Sequence, residues 1–224
     1  MNHKIKLFFF VGFILAALVA CGPQGEKSAA GEAMTEGQTT GVAYNADLTT
    51  SVINWEGTKP GGSHYGTIRL KQGNLSVDDN EVTGGEFVID MKSIVNIDLT
   101  DTAYNAKLIG HLMSPDFFAV DSFPTARFKI TSVSKLQNPV KDADGVGYTH
   151  AITGNLSIKD VTKSIKFDAA ISVSDGKVVA STGKFVIDRS AWNIKYGSRK
   201  FFDNLKDKFI YDEIGLKIQL TAVR

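Results

Sequence analysis

The sequence is poor in the residue types that covalent cross-links and many metal sites require. It contains one cysteine in 224 residues, so an internal disulfide, a C-x-x-C redox pair and a thiolate-rich zinc site are excluded. It also lacks a charge excess, because 25 Lys and Arg face 24 Asp and Glu. A phosphate backbone demands a basic protein surface, so nucleic acid is not an expected partner. The fold must therefore be held by its hydrophobic core.

Long apolar runs are also missing, except at the N-terminus. There Lys4 and Lys6 precede an uncharged apolar run from Leu7 to Val19, which is the layout of a secretory signal. The run is shorter than the roughly 20 apolar residues of a transmembrane helix. Residues 1–20 are therefore predicted to be a signal peptide.

The sole cysteine follows this run directly. The segment Leu18-Val19-Ala20-Cys21-Gly22 resembles the lipobox of bacterial lipoproteins, which implies cleavage before Cys21 and acylation of its thiol. A simple secretory peptide followed by a buried cysteine is the alternative. Without Lys4 and Lys6 the chain stays nearly neutral, so membrane attachment is expected to depend on the acyl chains at Cys21. We therefore expect a membrane-anchored lipoprotein of the bacterial envelope with its domain in the periplasm.

The next segment has few large apolar side chains. Residues 22–46 are dominated by Gly, Ala, Thr, Gln and Glu, a composition that is typical of disorder. We predict a flexible tether over residues 21–46, lipidated at Cys21, and a single folded domain over residues 47–224.

The folded domain is dominated by alternating polar and apolar side chains. In the last strand, Ile214, Leu216, Ile218 and Leu220 share one face, which is typical of a half-buried antiparallel strand. Gly, Asn and Asp between such segments predict tight turns, as at residues 78–80, 144–145 and 175–176. Many short strands of this kind predict a mainly β domain, either a closed barrel or a sandwich.

One segment has helical spacing instead. Leu108, Ile109, Leu112 and Met113 recur as on one helix face, after a candidate cap at Thr100 or Asp101. Because Pro115 disfavours helix at the residue before it, the pattern predicts a short helix from Thr102 to Ser114.

Aromatic residues are numerous, with 14 Phe, six Tyr and two Trp. In a small barrel they either fill the interior or line a cavity, and periodicity leaves both alternatives open. A repeated Gly-x-Phe-Val-Ile-Asp occurs at residues 85–90 and 183–188. Either a similar packing environment of the two strands or an ancient duplication would explain this repeat.

Candidate catalytic and metal-binding residues do not form a recognised pattern. His64, His111 and His150 lack the i, i+4 spacing of a helix-borne metal motif. His111, Ser114 and Asp116 include the residue types of a hydrolytic triad, but they crowd into six residues and no G-x-S-x-G is present. We therefore predict no catalytic residue, no metal site and no cofactor, and a hydrogen-bonding role for His111 at the helix end.

The central part of the sequence resembles the YceI-like family. The resemblance rests on residues 105–118 (NAKLIGHLMSPDFF) and 123–128 (FPTARF), with support from residues 154–162 (GNLSIKDVT), from WEGTK at 55–59 and from IDR at 187–189. Ser157 and Asp160 depart from the family pattern, where Thr and Gly are typical. The match extends from about Val52 to Leu220.

This resemblance implies a closed, antiparallel, eight-stranded lipocalin-like β-barrel with one or two short helices and an apolar cavity. The implied ligand is a long-chain isoprenoid, an isoprenoid quinone or another amphiphilic lipid, which a non-enzymatic protein would carry or buffer. The resemblance and the strand alternation together place the following side chains on the cavity wall: Phe87, Ile89, Phe117, Phe118, Phe128, Ile130, Phe167, Phe185 and Ile187. Arg189, His64 and His150 are candidates for contact with a polar head group. The alternative for each of these wall and head-group residues is plain core packing or, for Arg189, a salt bridge. An interaction or stress-response lipoprotein with an empty scaffold is the second functional hypothesis, and a homodimer is left open.

Overall fold

The computed structural model describes residues 22–37, 39–139, 141 and 146–224. The predicted signal peptide, the predicted acylation site at Cys21 and the predicted turn at residues 144–145 lie outside this part of the chain.

The described residues form mainly β-structure, with one α-helix and two short 3-10 helices. The strands are β1 (Glu26–Lys27), β2 (Val42–Ala46), β3 (Val52–Lys59), β4 (Gly62–Asp78), β5 (Glu81–Asn96), β6 (Thr125–Lys135), β7 (His150–Ile158), β8 (Val161–Ser174), β9 (Lys177–Thr182), β10 (Phe185–Asp188) and β11 (Glu213–Val223). Helix α1 is Thr102–Met113, and the 3-10 helices are Arg189–Trp192 and Lys206–Lys208.

Eight of the described strands close into an antiparallel ring. The order is β3, β4, β5, β6, β7, β8, β9 and β11, and β11 pairs back onto β3. Closure gives these strands partners on both sides, which removes the exposed edges that an open sheet would leave. The structure therefore selects the barrel over the sandwich.

Strand β11 has two neighbours on each side. On one side β3 pairs with residues 214–219 and β2 with residues 222–223. On the other side β10 pairs with residues 213–216 and β9 with residues 219–223. Since β2 lies within the predicted tether, the folded domain begins before the predicted boundary at Asp47.

The N-terminal segment, residues 22–37, lies along the barrel and does not form the predicted flexible tether. Strand β1 pairs in parallel with β10, and Gly31 exchanges two backbone hydrogen bonds with Ser164 of β8, at 2.9 and 3.1 Å. The buried Ser28 accepts a hydrogen bond from the backbone N–H of Lys166 at 3.1 Å. The segment thus fills a seam between β8 and β10. The prediction was wrong because composition reports apolar side chains, whereas this segment is held by main-chain groups at two sheet edges.

The turns and the helix agree well with the sequence pattern. Asp79, Asn80 and Asp175 adopt positive φ values of 47°, 62° and 49° in tight turns between strands, as short polar side chains allow. Helix α1 begins after Asp101, whose carboxylate accepts hydrogen bonds from the amides of residues 103 and 104 at 2.9 and 3.0 Å. It ends one residue before the predicted Ser114.

The two ends of the barrel differ. Helix α1, the β3–β4 hairpin and residues 193–212, which follow the first 3-10 helix, lie at one end, called the helix end here. The turns at residues 79–80 and 175–176 lie at the other, called the far end. The inward faces of the strands between these ends form the hydrophobic core.

Candidate functional site

The barrel encloses an apolar cavity of about 220 Å³. Its wall includes Leu112 and Phe118 at the helix end and Val82 and Ile171 near the far end, so the space follows the long axis of the barrel. An apolar cavity of roughly 150 Å³ is enough to bind a benzene ring. The interior is therefore hollow on the scale of a hydrocarbon guest.

The structure brings ten of the twelve predicted site residues to this cavity. They come from four strands, from the loop after α1 and from the first 3-10 helix, and they are Phe87, Ile89, Phe117, Phe118, Phe128, Ile130, Phe167, Phe185, Ile187 and Arg189. Both copies of the repeated Gly-x-Phe-Val-Ile-Asp place their Phe and Ile on the wall. Contact of these residues with a ligand stays a prediction.

Two glycines explain why the large aromatic rings leave room inside the barrel. A Cβ atom added to Gly73 would lie 2.4 Å from the ring of Phe87, and one added to Gly154 would lie 2.4 Å from the ring of Phe128. Each ring therefore packs directly onto the backbone of the neighbouring strand, where only glycine permits such an approach. Rings that lie against the wall do not cross the lumen.

The phenylalanines on the cavity wall form two groups of contacting rings. The ring centroids of Phe128 and Phe167 are 5.6 Å apart, and Phe167 stacks on Phe185 at 4.6 Å with an interplanar angle of 12°. Phe117 and Phe118 meet edge to face at 5.1 Å in the loop after α1. These distances fall in the range of favourable aromatic pairs, so the wall is ordered by its own contacts.

Arg189 is a fully buried cation at the helix end of the cavity. Its guanidinium lies 3.2 Å from the carboxylate of Asp212 and donates hydrogen bonds to the carbonyls of Ile194, Ile210 and Tyr211, at 2.8, 3.2 and 3.3 Å. Burial lowers the pKa of Arg189, and the charges of Asp212 and Asp188 oppose that shift. The alternative expected for this residue, a salt bridge, is present.

These contacts give Arg189 a structural role. It ties the segment 193–212 to the barrel end, because three of its acceptors are backbone carbonyls of that segment. Its guanidinium also lies over the ring of Phe117, 5.2 Å from the centroid. With its donors directed at the protein, the cation stabilises the cavity end.

His64 and His150 are not on the cavity wall, so the structure does not support them as head-group contacts inside the barrel. The His64 imidazole lies 2.9 Å from the Asp98 carboxylate at the helix end. Partial burial acts to raise the pKa of Asp98, but hydrogen bonds from the Tyr65 amide and from His64 help to lower it, and the pKa lies below its usual value. The Nδ1 atom of His150 lies at hydrogen-bond distance, 2.7 Å, from the Thr149 hydroxyl. Both residues line a second, more polar depression at the far end of the barrel. The strand alternation could not reveal this, because both residues sit close to strand ends, where side chains reach other loops.

Several wall residues were missed as site residues although their pattern was visible. Ile214, Leu216 and Ile218 of β11 line the cavity, as does Trp55 of β3. Their alternation was the clearest in the sequence, so the same inward-face reasoning would have found the β11 residues. A few polar side chains also reach the wall, among them Thr182, whose hydroxyl accepts a hydrogen bond from the Ile218 amide at 2.9 Å.

The residue types of a hydrolytic triad do not assemble. The hydroxyl of Ser114 donates to the backbone carbonyl of His111 at 2.8 Å, and the imidazole of His111 packs edge to face against Tyr196 with centroids 4.4 Å apart. The expected helix-end bonding therefore uses the main chain of His111. Within the described residues no cluster of three or more His, Cys, Asp or Glu has the arrangement of a metal site.

Comparison with known proteins places the fold in a family. The YceI-like domain model matches residues 44–222. The chain belongs to the YceI-like family. The match covers all eight strands of the ring, and the lipocalin-like barrel expected from the sequence is confirmed.

Sequence relatives of this YceI-like chain are distant. A UPF0312 protein of Pseudomonas putida is 27% identical over 147 residues, which cover 64% of this chain and 69% of that protein. A UPF0312 protein of Pectobacterium atrosepticum is 34% identical over 106 residues, which cover 47% of this chain and 44% of that protein.

Two solved structures share the fold. BcnA of Burkholderia cenocepacia has a TM-score of 0.53 and 19% identity, with 80% of this chain and 99% of that one covered. A polyisoprenoid binding domain from Saccharophagus degradans, implicated in plant cell wall breakdown, has a TM-score of 0.54 and 14% identity, with 80% and 97% covered. Neither is similar enough in sequence to indicate more than the fold. In the part of the YceI-like chain that the structure describes, no helix has the length and apolar character to span a bilayer.

Proposed function

We propose that this YceI-like protein binds a polyisoprenoid, an isoprenoid quinone or a similar amphiphilic lipid inside its barrel, and carries or buffers it in the bacterial cell envelope without catalysing a reaction. The observation that supports this most directly is the elongated apolar cavity, whose wall runs from Leu112 at the helix end to Ile171 near the far end. A chain-like guest matches this shape. The polyisoprenoid binding domain that shares the fold is a related precedent.

The free energy of moving a lipid from a bilayer into the apolar cavity is compatible with a carrier role. Each buried methylene gains about 0.8 kcal/mol on leaving water, so a long prenyl chain taken from water would be held almost irreversibly. A lipid that leaves a bilayer exchanges one apolar environment for another, and the net hydrophobic gain is then small. The protein can release such a cargo again, as a carrier must.

Lipid extraction is the direct test. The domain is purified without detergent, extracted with organic solvent and analysed by mass spectrometry. Ala169 lines the cavity, and Ala169→Phe should reduce the co-purifying lipid by filling space. Ser172→Phe adds the same ring to an exposed position on the same strand and should retain the lipid. Circular dichroism of both variants checks that the fold persists, since overpacking costs about 1–3 kcal/mol. Wild-type protein without lipid would contradict the proposal.

The scaffold hypothesis makes the opposite prediction for this experiment. Exposed apolar side chains outside the barrel, such as Phe201 and Phe202, are the feature that an interaction protein would use. In that case the wild-type extract should contain no stoichiometric lipid, and Ala169→Phe should leave partner binding unchanged.

The membrane anchor belongs to the same proposal. We expect Cys21 to be acylated after removal of residues 1–20, so that the domain is held at the membrane with its barrel in the periplasm. Labelling of the expressing bacterium with radioactive palmitate should mark the wild-type chain, and Cys21→Ser should abolish the label. An unlabelled wild-type chain, or a label that persists in Cys21→Ser, would contradict the anchor.

A further inference from the structure

A basic loop covers part of the helix end of the barrel. The segment from Lys195 to Lys208, called the basic loop here, carries five Lys and Arg against two Asp. The whole chain is nearly balanced, with 25 cations and 24 anions, so net charge conceals this local excess. The near-neutral net charge of the chain therefore does not describe the charge of this surface.

Exposed aromatic side chains gather at the same end. All the exposed aromatics of the described residues lie there, and they are Tyr65, Tyr104, Tyr196, Phe201 and Phe202. The exposed large apolar residues at the far end are aliphatic, for example Val223. Aromatic rings with cationic neighbours are the composition of surfaces that sit at the boundary between water and lipid.

The loop presents its aromatic tip in a fixed conformation. The buried Ser198 donates to the Asp212 carboxylate at 3.0 Å, and its carbonyl accepts from the amides of Phe201 and Phe202 at 3.2 and 3.1 Å. Lys200 is paired with Asp188. The Phe201 and Phe202 side chains are nevertheless 41% and 48% exposed. A tip that is exposed and already ordered loses little conformational freedom when it binds.

The basic loop is connected to the cavity wall by side-chain contacts. The guanidinium of Arg199 lies over the ring of Phe209, 3.5 Å from its centroid, and Phe209 meets Tyr211 edge to face at 4.9 Å. Tyr211 and its neighbour Ile210 line the cavity. A surface that binds through this loop therefore lies against the helix end of the cavity.

From these observations we propose that the basic loop docks the helix end of the barrel onto an anionic lipid bilayer. Phe201 and Phe202 enter the interfacial region, and Lys195, Lys206 and Lys208 lie among acidic head groups. This contact is separate from an anchor at Cys21. It rests on the proposed function in one respect, because a cargo taken from a bilayer needs the cavity end to face that bilayer.

Fluorescence quenching by brominated lipid tests the docking directly. The full exported chain carrying Phe202→Trp is reconstituted with vesicles of phosphatidylglycerol and phosphatidylethanolamine that contain a dibrominated acyl chain. We expect a blue-shifted emission and strong quenching of the new tryptophan. Val223→Trp places the same reporter at the far end, at a similarly exposed position of 44%, and should not be quenched. Equal quenching at both positions, or none at residue 202, would overturn the proposal.

A charge series tests the electrostatic part. The double variant Lys206→Glu, Lys208→Glu should lower the affinity for anionic vesicles, measured by quenching at residue 202, by at least about 25-fold. Each cation near an acidic membrane raises the affinity about fivefold. Lys71→Glu with Lys177→Glu makes the same change in net charge on exposed residues outside the loop and should leave the contact unchanged. Equal quenching in vesicles of phosphatidylcholine alone, or an equal loss in both double variants, would refute recognition of acidic lipid by this loop.

Lipid extraction of the same variants separates this proposal from the proposed function. A wild-type protein that co-purifies with lipid but shows no quenching at residue 202 refutes the docking and leaves the binding function standing. A protein that is quenched at residue 202 but never contains lipid supports the docking and contradicts the carrier role. If the Phe201–Phe202 tip binds a protein instead, quenching is absent in all vesicles and the docking is refuted.

Discussion

Two of the hydrogen bonds that hold the N-terminal segment to the barrel can be removed by one substitution. The Asn155 side chain is buried, accepts a hydrogen bond from the Met34 amide at 2.8 Å and donates one to the Met34 carbonyl at 2.7 Å. Asn155→Ala removes both bonds. At a net value of about 1 kcal/mol for each bond, the segment should open about 30-fold more often, since about 1.4 kcal/mol corresponds to a factor of ten.

Native-state hydrogen exchange measures this opening residue by residue. In Asn155→Ala the amides of residues 28–34 should exchange about 30-fold faster, while core amides of β4 and β5 keep their protection. Asn54→Ala is the matched control, because Asn54 makes only a long bond of 3.4 Å to Lys217 on another part of the ring. Unchanged exchange in the segment, or an already unprotected segment in the wild-type protein, would refute the packed arrangement.

Three further predictions concern the barrel itself. Arg189→Met leaves Asp212 without its buried cationic partner and should lower the free energy of unfolding by about 3–5 kcal/mol. Urea denaturation measures this change, and a loss below about 1 kcal/mol would refute the buried pair. Gly154→Ala places a methyl group 2.4 Å from the ring of Phe128 and 2.6 Å from the Lys129 carbonyl oxygen. Thermal unfolding should show that this variant loses about 1–3 kcal/mol of stability. In the control Gly57→Ala the added methyl group meets open space, and the loss of stability should be smaller. Hydrogen bonds from the hydroxyl and then the amide of Thr49 are the main causes that lower the pKa of Asp47 from 3.8 to about 2. Its contribution to stability is therefore present above about pH 4 and is lost as the pH falls toward 2. NMR titration of the carboxyl should give this low pKa, and Asp47→Asn should reduce the acid sensitivity in that window; an unshifted pKa would contradict the turn.

Local chemistry made much of the fold predictable. The helix start at Asp101 followed from a carboxylate that caps free amides, and the helix end near Ser114 followed from the steric effect of Pro115. The inward faces of β10 and β11 followed from side chains that alternate along extended backbone. Each of these features depends on neighbours within a few residues, so a linear pattern contains the information.

The candidate site was predictable only in part. The cavity positions of Phe87, Phe128 and Phe185 followed from alternation and from the family resemblance. The positions of His64 and His150 did not follow, because their partners, Asp98 and Glu81, come from other parts of the chain. Residues near strand ends meet loops, and alternation does not describe loop contacts.

By itself the sequence determined which side chains face inward, where the turns and the helix lie, and the family to which the chain belongs. Only the tertiary structure decided that the barrel is hollow, because this depends on how closely Phe87 and Phe128 pack onto Gly73 and Gly154 of neighbouring strands. It also decided that residues 22–37 lie in a seam of the barrel and that Arg189 is neutralised by Asp212. The physical reason is common to all of these: they arise from contacts between groups far apart in the chain, whose distances a linear pattern does not contain.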